Sequence, residues 1–289
     1  MSLFFIGLTL GFALPVLVLW PLERLFPARQ DQPLWRTGSR LDLLYWLCLP
    51  ALRGGLMALA LVPALALGLN SESWFEQGFG RLAQQPGWLQ VIEFLILFDV
   101  SNYWVHRWFH TDRLWKFHAV HHSSRQLDWL STVRHHPIND VALRLGQALP
   151  AVLLGYSPQV IAWCLPVLTF HSLLIHANVN WSFGPLGVVI VSPTFHHWHH
   201  TSQEEGRDKN FAELCPILDI LFGTYYRPIG RQPEQFGIHD RSFPEHFLGQ
   251  LFYPFRIAQE RMESEPRSVS NQPAGQAISD RTDSATEPA

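Results

Sequence analysis

The chain has 289 residues, of which 47% are hydrophobic, 13% aromatic and only 16% charged, with a formal net charge of −3. A water-soluble domain carries about 25% charged residues, so a wholly water-facing surface is excluded and a membrane protein is predicted. No basic excess supports a nucleic-acid partner. Cys48, Cys164 and Cys215 are too few and too widely spaced for a disulfide framework or a zinc knuckle.

In chain order, Leu3 to Leu22 is apolar and uncharged, long enough to cross a bilayer. No basic residue precedes it and no small-residue cleavage site closes it, which predicts a retained helix and not a signal peptide. Arg24, Arg29, Arg36 and Arg40 follow, and then a second apolar stretch, Leu41 to Leu69, containing Asp42 and Arg53. An arginine inside such a stretch is costly in lipid, so Arg53 is expected to face protein or to snorkel to an interface. The loop from Asn70 to Gly87 has little basic charge, so the positive-inside rule predicts it outside and the Arg24–Arg40 loop in the cytoplasm. A third helix, Trp88 to about Trp104, then returns to the cytoplasmic side. Val141 to Leu154 and Gln159 to Leu174, joined by Gly155-Tyr156-Ser157-Pro158, read as two spans or as a re-entrant hairpin. Phe247 to Arg256 is amphipathic, and the segment after Glu263, rich in Ser, Pro and acidic residues, is predicted disordered. The predicted divisions are 1–87 (N-terminal membrane helices), 88–230 (the histidine-bearing unit), 231–262 (amphipathic segment) and 263–289 (tail). The lone Gly78-x-Gly80 precedes no dinucleotide-type helix.

Thirteen of the fifteen histidines lie between His106 and His200. Asp99, Tyr103, His106 and His110 fall on one stripe of the third helix. His118, His121 and His122 form a three-imidazole face on a helical turn, as do His196, His199 and His200, and His171 and His176 lie between. A single histidine is ordinarily a hydrogen-bonded core or interface residue. Ten, most of them at ligand spacing, beside a membrane would be too costly unless neutral and coordinated. The predicted ligands are therefore His106, His110, His118, His121, His122, His171, His176, His196, His199 and His200. They exceed the four of a structural zinc and divide into about five for each of two redox-active ions, with iron preferred. Haem, with axial ligands mid-helix, fits the spacing poorly, and no flavin or nicotinamide motif is visible. Asp99 is expected to orient an imidazole, and His136, ahead of Pro137, to lie just outside the ligands. His197, His239 and His246 are expected to take no part.

These motifs resemble the fatty acid hydroxylase superfamily, which includes sterol desaturases, sphingolipid and fatty-acid hydroxylases and alkylglycerol monooxygenase. The His-x3-His and the two His-x2-His-His boxes carry the resemblance. So do Asp99-x3-Tyr103-x2-His106-Arg107, Arg134-His135-His136-Pro137, His176-Ala177-Asn178 and Asp219 with Phe222-Gly223-Thr224. It covers about Phe94 to Tyr226. Leu218 stands where the family often has Trp, and Asn210-Phe211-Ala212 replaces Asn-Tyr-Gly. The resemblance implies an all-α membrane bundle of about four transmembrane helices or hairpins, capped by a cytoplasmic multi-histidine site. It also implies two non-haem irons, a membrane lipid substrate, dioxygen and a separate electron-donor protein. Asp99, Tyr103, Arg134, His136, Asn178 and Asp219 become the expected supports of the ligands. The rival is a non-catalytic multi-histidine protein that binds or transports metal, which would need polar residues along a membrane path. Hydrolysis is weaker still, because no carboxylate sits among the boxes as a base.

Overall fold

A computed structural model describes residues 3–66 and 82–264; the predicted tail, Gly78-x-Gly80 and most of the Asn70–Gly87 loop fall outside them. The described residues contain no strand, only helices and two isolated bridges. The helices are α1 (Leu3–Leu25), α2 (Ser39–Ala66), α3 (Gly87–Phe109), α4 (Trp115–His122), α5 (Pro137–Leu154), α6 (Pro158–His176), α7 (Pro193–His199), α8 (Ile217–Leu221) and α9 (Phe247–Ser264).

Prolines and polar caps set the boundaries. Pro137, Pro158 and Pro193 each stand at a helix start, where a missing N–H costs nothing. The Ser192 hydroxyl accepts the Phe195 N–H ahead of α7. Gly155, with φ 79°, ends α5 in the left-handed region, so that α6 folds back beside it. The third helix runs five residues beyond its predicted end, and that extra length carries His106.

Phe94 and Phe98 of α3, Ala151 of α5 and Val160, Cys164 and Leu168 of α6 form one buried cluster with Tyr156. The α3–α5 crossing is close: a Cβ on Gly146 would stand 2.7 Å from Val105 Cγ2. Large apolar side chains face outward along the long helices, with Leu17 72%, Ile96 61%, Leu153 65% and Trp163 79% exposed. Polar groups are inside, including Asp42, Asp99, Asn102 and Asn139. Apolar side chains thus cover much of the outside as well as filling the core. Among the described residues, 39–59 and 158–176 are long and apolar enough to cross a membrane.

At the start of α2 the buried Asp42 carboxylate takes Arg36 at 2.5 Å and Arg134 Nε at 2.5 Å, and Arg36 reaches on to Asp128 at 2.7 Å. Asp128 also accepts the Ser131 N–H at the start of a 3₁₀ turn, Trp129–Val133. This network ties the connection after α1 to the segment that follows α4. Arg53, the charge expected to face protein or an interface, meets Asp140 at 3.2 Å.

Candidate metal centre

The C-terminal ends of the long helices α3 and α6 and the short helices α4 and α7 bring nine of the ten predicted ligands together in two groups. His106 and His110 (the end of α3), His118 and His122 (α4) and His199 (α7) form one; His121, His176, His196 and His200 form the other. Within each group one ring nitrogen per residue lies within 4.8 Å of all the others. Each His-x2-His-His box is split. The one-turn pair His118/His122 serves the first group and the intervening His121 the second. For the later box the arrangement is reversed, with His196/His200 in the second group and His199 in the first. Both boxes thus bridge the two groups, which holds α4 and α7 to a common centre.

The protons on these rings can be placed from their partners. His106 Nδ1 lies 2.9 Å from the Phe211 carbonyl, His121 Nδ1 3.3 Å from that of Arg134, His176 Nδ1 2.7 Å from that of Ser172 and His199 Nδ1 2.8 Å from that of Lys209. A carbonyl only accepts, so Nδ1 carries the hydrogen and Nε2 of a neutral ring presents a lone pair. His121 and His176 nevertheless bring those Nε2 atoms to 3.1 Å from each other. His196 and His200 Nε2 lie 3.0 and 3.1 Å from His176 Nε2. In the first group His118–His106, His118–His122 and His122–His199 close to 3.1, 3.2 and 3.1 Å. Lone pairs facing at this distance repel unless a cation lies between them. Protonation is not the remedy: burial first, and then neighbouring imidazoles, hold His121, His122 and His200 well below the ordinary histidine range. With imidazole–metal bonds of about 2.1 Å, two nitrogens at right angles on one ion stand about 3.0 Å apart. The observed spacing fits that arrangement. His110 Nε2 is likewise buried without a hydrogen-bond partner, while its Nδ1 meets Asp208 at 3.0 Å. The residues present therefore fit two metal ions.

The remaining predicted residues stand elsewhere, with physical reasons. His171 joins neither group; its Nε2 points at the Glu213 carbonyl at 3.1 Å, because five residues along a helix put it on a different face from His176. Asp99 touches no imidazole. It accepts the backbone N–H groups of Glu213, Leu214 and Cys215 at 3.2, 2.9 and 2.9 Å. Asp219 does the same for Phe211 and Ala212 at 2.8 and 2.9 Å and takes the Thr224 hydroxyl at 2.6 Å. The Tyr103 hydroxyl is 2.9 Å from that of Thr224. These groups shape the loop whose Phe211 carbonyl orients His106, so they act at one remove. Arg134 meets His121 through its carbonyl and gives its side chain to Asp42. Asn178 binds the backbone of Arg29, and His136 caps α5 and bonds the Leu251 carbonyl at 3.0 Å. Neither faces the two groups. His197 bonds the Ala177 carbonyl, His239 that of Ser202, and His246 accepts the Gly249 N–H.

Three supporting residues escaped the sequence. His135 stacks on His121 at 4.0 Å and 11°. Asn139 Oδ1 accepts from His118 Nδ1 at 3.0 Å, and Asp208 meets His110. None has a diagnostic spacing: Asp208 lies eight residues beyond His200, with Glu204 and Glu205 nearer to the box.

The centre opens on a cavity of about 490 Å³ between α2, α3, α5 and α6. His106, His118, His121, His176 and His196 form one wall, and Leu49, Pro50, Phe98, Leu143, Leu165 and Leu168 line the apolar part.

Comparison with known proteins gives the same direction. Residues 91–224 match the family model "Fatty acid hydroxylase". The chain is 35% identical over 201 residues to ornithine lipid hydroxylase OlsE of Rhizobium tropici, covering 69% of this chain and 58% of that protein. It is 31% identical over 128 residues to alkylglycerol monooxygenase of Homo sapiens (44% and 28%) and 26% over 144 residues to methylsterol monooxygenase 1-3 of Arabidopsis thaliana (47% and 47%). The chain thus spans between 28% and 58% of the length of these relatives. No solved structure matches. The three histidine boxes and the Asp219–Thr224 motif lie within the matched region, and that region is a fatty acid hydroxylase domain.

Proposed function

We propose that this chain is a membrane-bound non-haem di-iron oxygenase that hydroxylates or desaturates a lipid C–H bond. The observation that carries the reading is the pair of imidazole groups, with lone pairs forced toward common points, forming the end wall of a cavity among apolar helices. His106, His110, His118, His122 and His199 would hold one iron, and His121, His176, His196 and His200 the other. Two irons held there would supply the dioxygen activation that an unactivated C–H bond requires. In hydroxylation one dioxygen, two electrons and two protons convert R–H into R–OH and water. Desaturation removes two hydrogens and releases two waters. The electrons come from a separate donor protein.

The chain's own part is placement. Backbone carbonyls of Phe211, Arg134, Ser172 and Lys209 fix four ring tautomers. The apolar walls exclude bulk water and receive a lipid laterally between helices. The Arg24–Arg40 charge excess supports a cytoplasmic centre and C-terminus.

The test is incubation of iron-loaded protein, a chemical reductant and ¹⁸O₂ with a total membrane lipid extract. One ¹⁸O per product lipid, or a lipid lighter by two hydrogens, is expected. No reductant-dependent lipid product, together with metal uptake into vesicles, would replace this reading with metal transport.

A further inference from the structure

Four charged side chains at the cavity have no part in holding metal. Arg53 projects from α2, Asp140 and Arg144 from α5, and Glu213 from the loop before α8; all four line the cavity. Asp140 takes Arg53 at 3.2 Å and Arg144 at 3.4 Å. Charges set among apolar helices are expensive and are retained where they meet a ligand or each other. Each other is not enough here. One carboxylate cannot saturate two guanidinium groups with five donors apiece; Glu213 also feels the charge of Arg144 but pairs directly with neither arginine, so donors of both are left for a ligand. Glu213 is hydrogen-bonded to Ser172, and burial raises its carboxyl above the ordinary range.

The position of these groups gives them meaning. Asp140 follows Asn139, the partner of His118, and Ser172 stands one turn before His176. The charged wall therefore adjoins the metal-binding wall and does not lie at a remote end. A cavity of about 490 Å³ is of the size that encloses a drug-sized molecule. A membrane lipid can put only part of itself inside, and a charged lining beside the reacting end selects the polar part.

Resting on the lipid-oxidation reading above, we propose that Arg53 and Arg144 hold an anionic group, carboxylate or phosphate, in the head of the lipid substrate. The C–H bond oxidised then lies within a few bonds of that head and not far out along an acyl chain. Asp140 positions the two guanidinium groups, and Glu213 faces any donor the head carries.

The experiment uses the full iron-loaded chain in detergent, with lipid retention read by native mass spectrometry. Four probes are compared: an N-acyl amino acid, its methyl ester, a lysophosphatidic acid and a diacylglycerol. One or both anionic probes should bind at least about 10-fold more tightly than the two uncharged ones, as bonds to a charged group imply; the preferred anion identifies the source. In Arg53→Gln/Arg144→Gln that preference should vanish at unchanged iron content, and should the double variant not fold, the exposed single Arg144→Gln should reduce it. Binding of neither anionic probe above the two uncharged ones by the unaltered chain would overturn the proposal, as would a variant that keeps the preference. The ¹⁸O position gives an independent reading: label in or next to the head is expected, and label far along a chain overturns this inference while leaving lipid oxidation standing. Oxidation of no lipid at all would instead remove the function proposed above, with the head-group preference still decided by binding.

Discussion

Asp219→Asn isolates the link between a loop and an imidazole proposed to bind metal. The two Asp219 oxygens accept Phe211 N–H, Ala212 N–H and the Thr224 hydroxyl in a fully buried site. Asparagine keeps the shape but offers one oxygen, so an amide donor faces a backbone donor and a charge-assisted bond is lost. Losing that bond and leaving one buried N–H unmet costs about 2–4 kcal/mol of stability. The Phe211 carbonyl also accepts the His106 Nδ1–H, at 2.9 Å. Loosening it should lower affinity at the His106 group by about 10- to 100-fold, as removal of supports behind metal ligands does. Asp99→Asn is the control. It breaks equivalent bonds to Glu213, Leu214 and Cys215, yet none of those three carbonyls orients a histidine of either group. Thermal unfolding in detergent should show similar losses for both variants. Chelator titration should release metal more readily from Asp219→Asn alone. Equal release from the two variants, or none beyond that of the unaltered protein, would refute the loop-to-imidazole argument.

Further outcomes follow from single contacts. His136→Ala removes a cap from α5 and a bond to Leu251, so it should cost about 0.5–2 kcal/mol in unfolding and leave metal content unchanged; a metal-depleted variant would return His136 to the centre. Gly146→Ala places a methyl 2.7 Å from Val105 and should destabilise the α3–α5 crossing by about 1–3 kcal/mol, whereas an unchanged melting temperature would mean the helices separate freely. Metal-free protein should weaken in acid. Burial holds His118, His121, His122 and His199 well below the unfolded value of about 6.5, so the unfolded chain takes up protons first and stability falls as pH drops below about 6.5. A melting temperature independent of pH from about 7.5 to about 5 would contradict that linkage.

The boxes were legible because an α-helix puts residues three and four apart on one face, and histidines repeated at those steps aim their rings at a common point. The sequence placed the start of α6 to within one residue, at Gln159, but put that of α5 at Val141, four residues past Pro137. It did not give the crosswise division of the boxes, which depends on how α4 and α7 face each other across the chain. It also misplaced Asp99 and His136. A carboxylate near imidazoles was read as their partner, but three buried N–H groups of a distant loop were the stronger claimants on Asp99, since each would otherwise be unmet. The true partners of four histidines are backbone carbonyls, which leave no trace in side-chain identity. His171 shows the complementary failure: one residue too many in the spacing turns a ring away from the centre.

The central claim is two imidazole-bound irons in one chain, and the count of metal per protein tests it most directly. Protein purified from iron-replete cells should contain about two irons per chain. His200→Ala, which removes one of four nitrogens from the second group, should lower that count toward one while the first group, with its five, keeps its ion. A single ion per chain in the unaltered protein, or zinc in place of iron after iron-replete expression, would contradict the account.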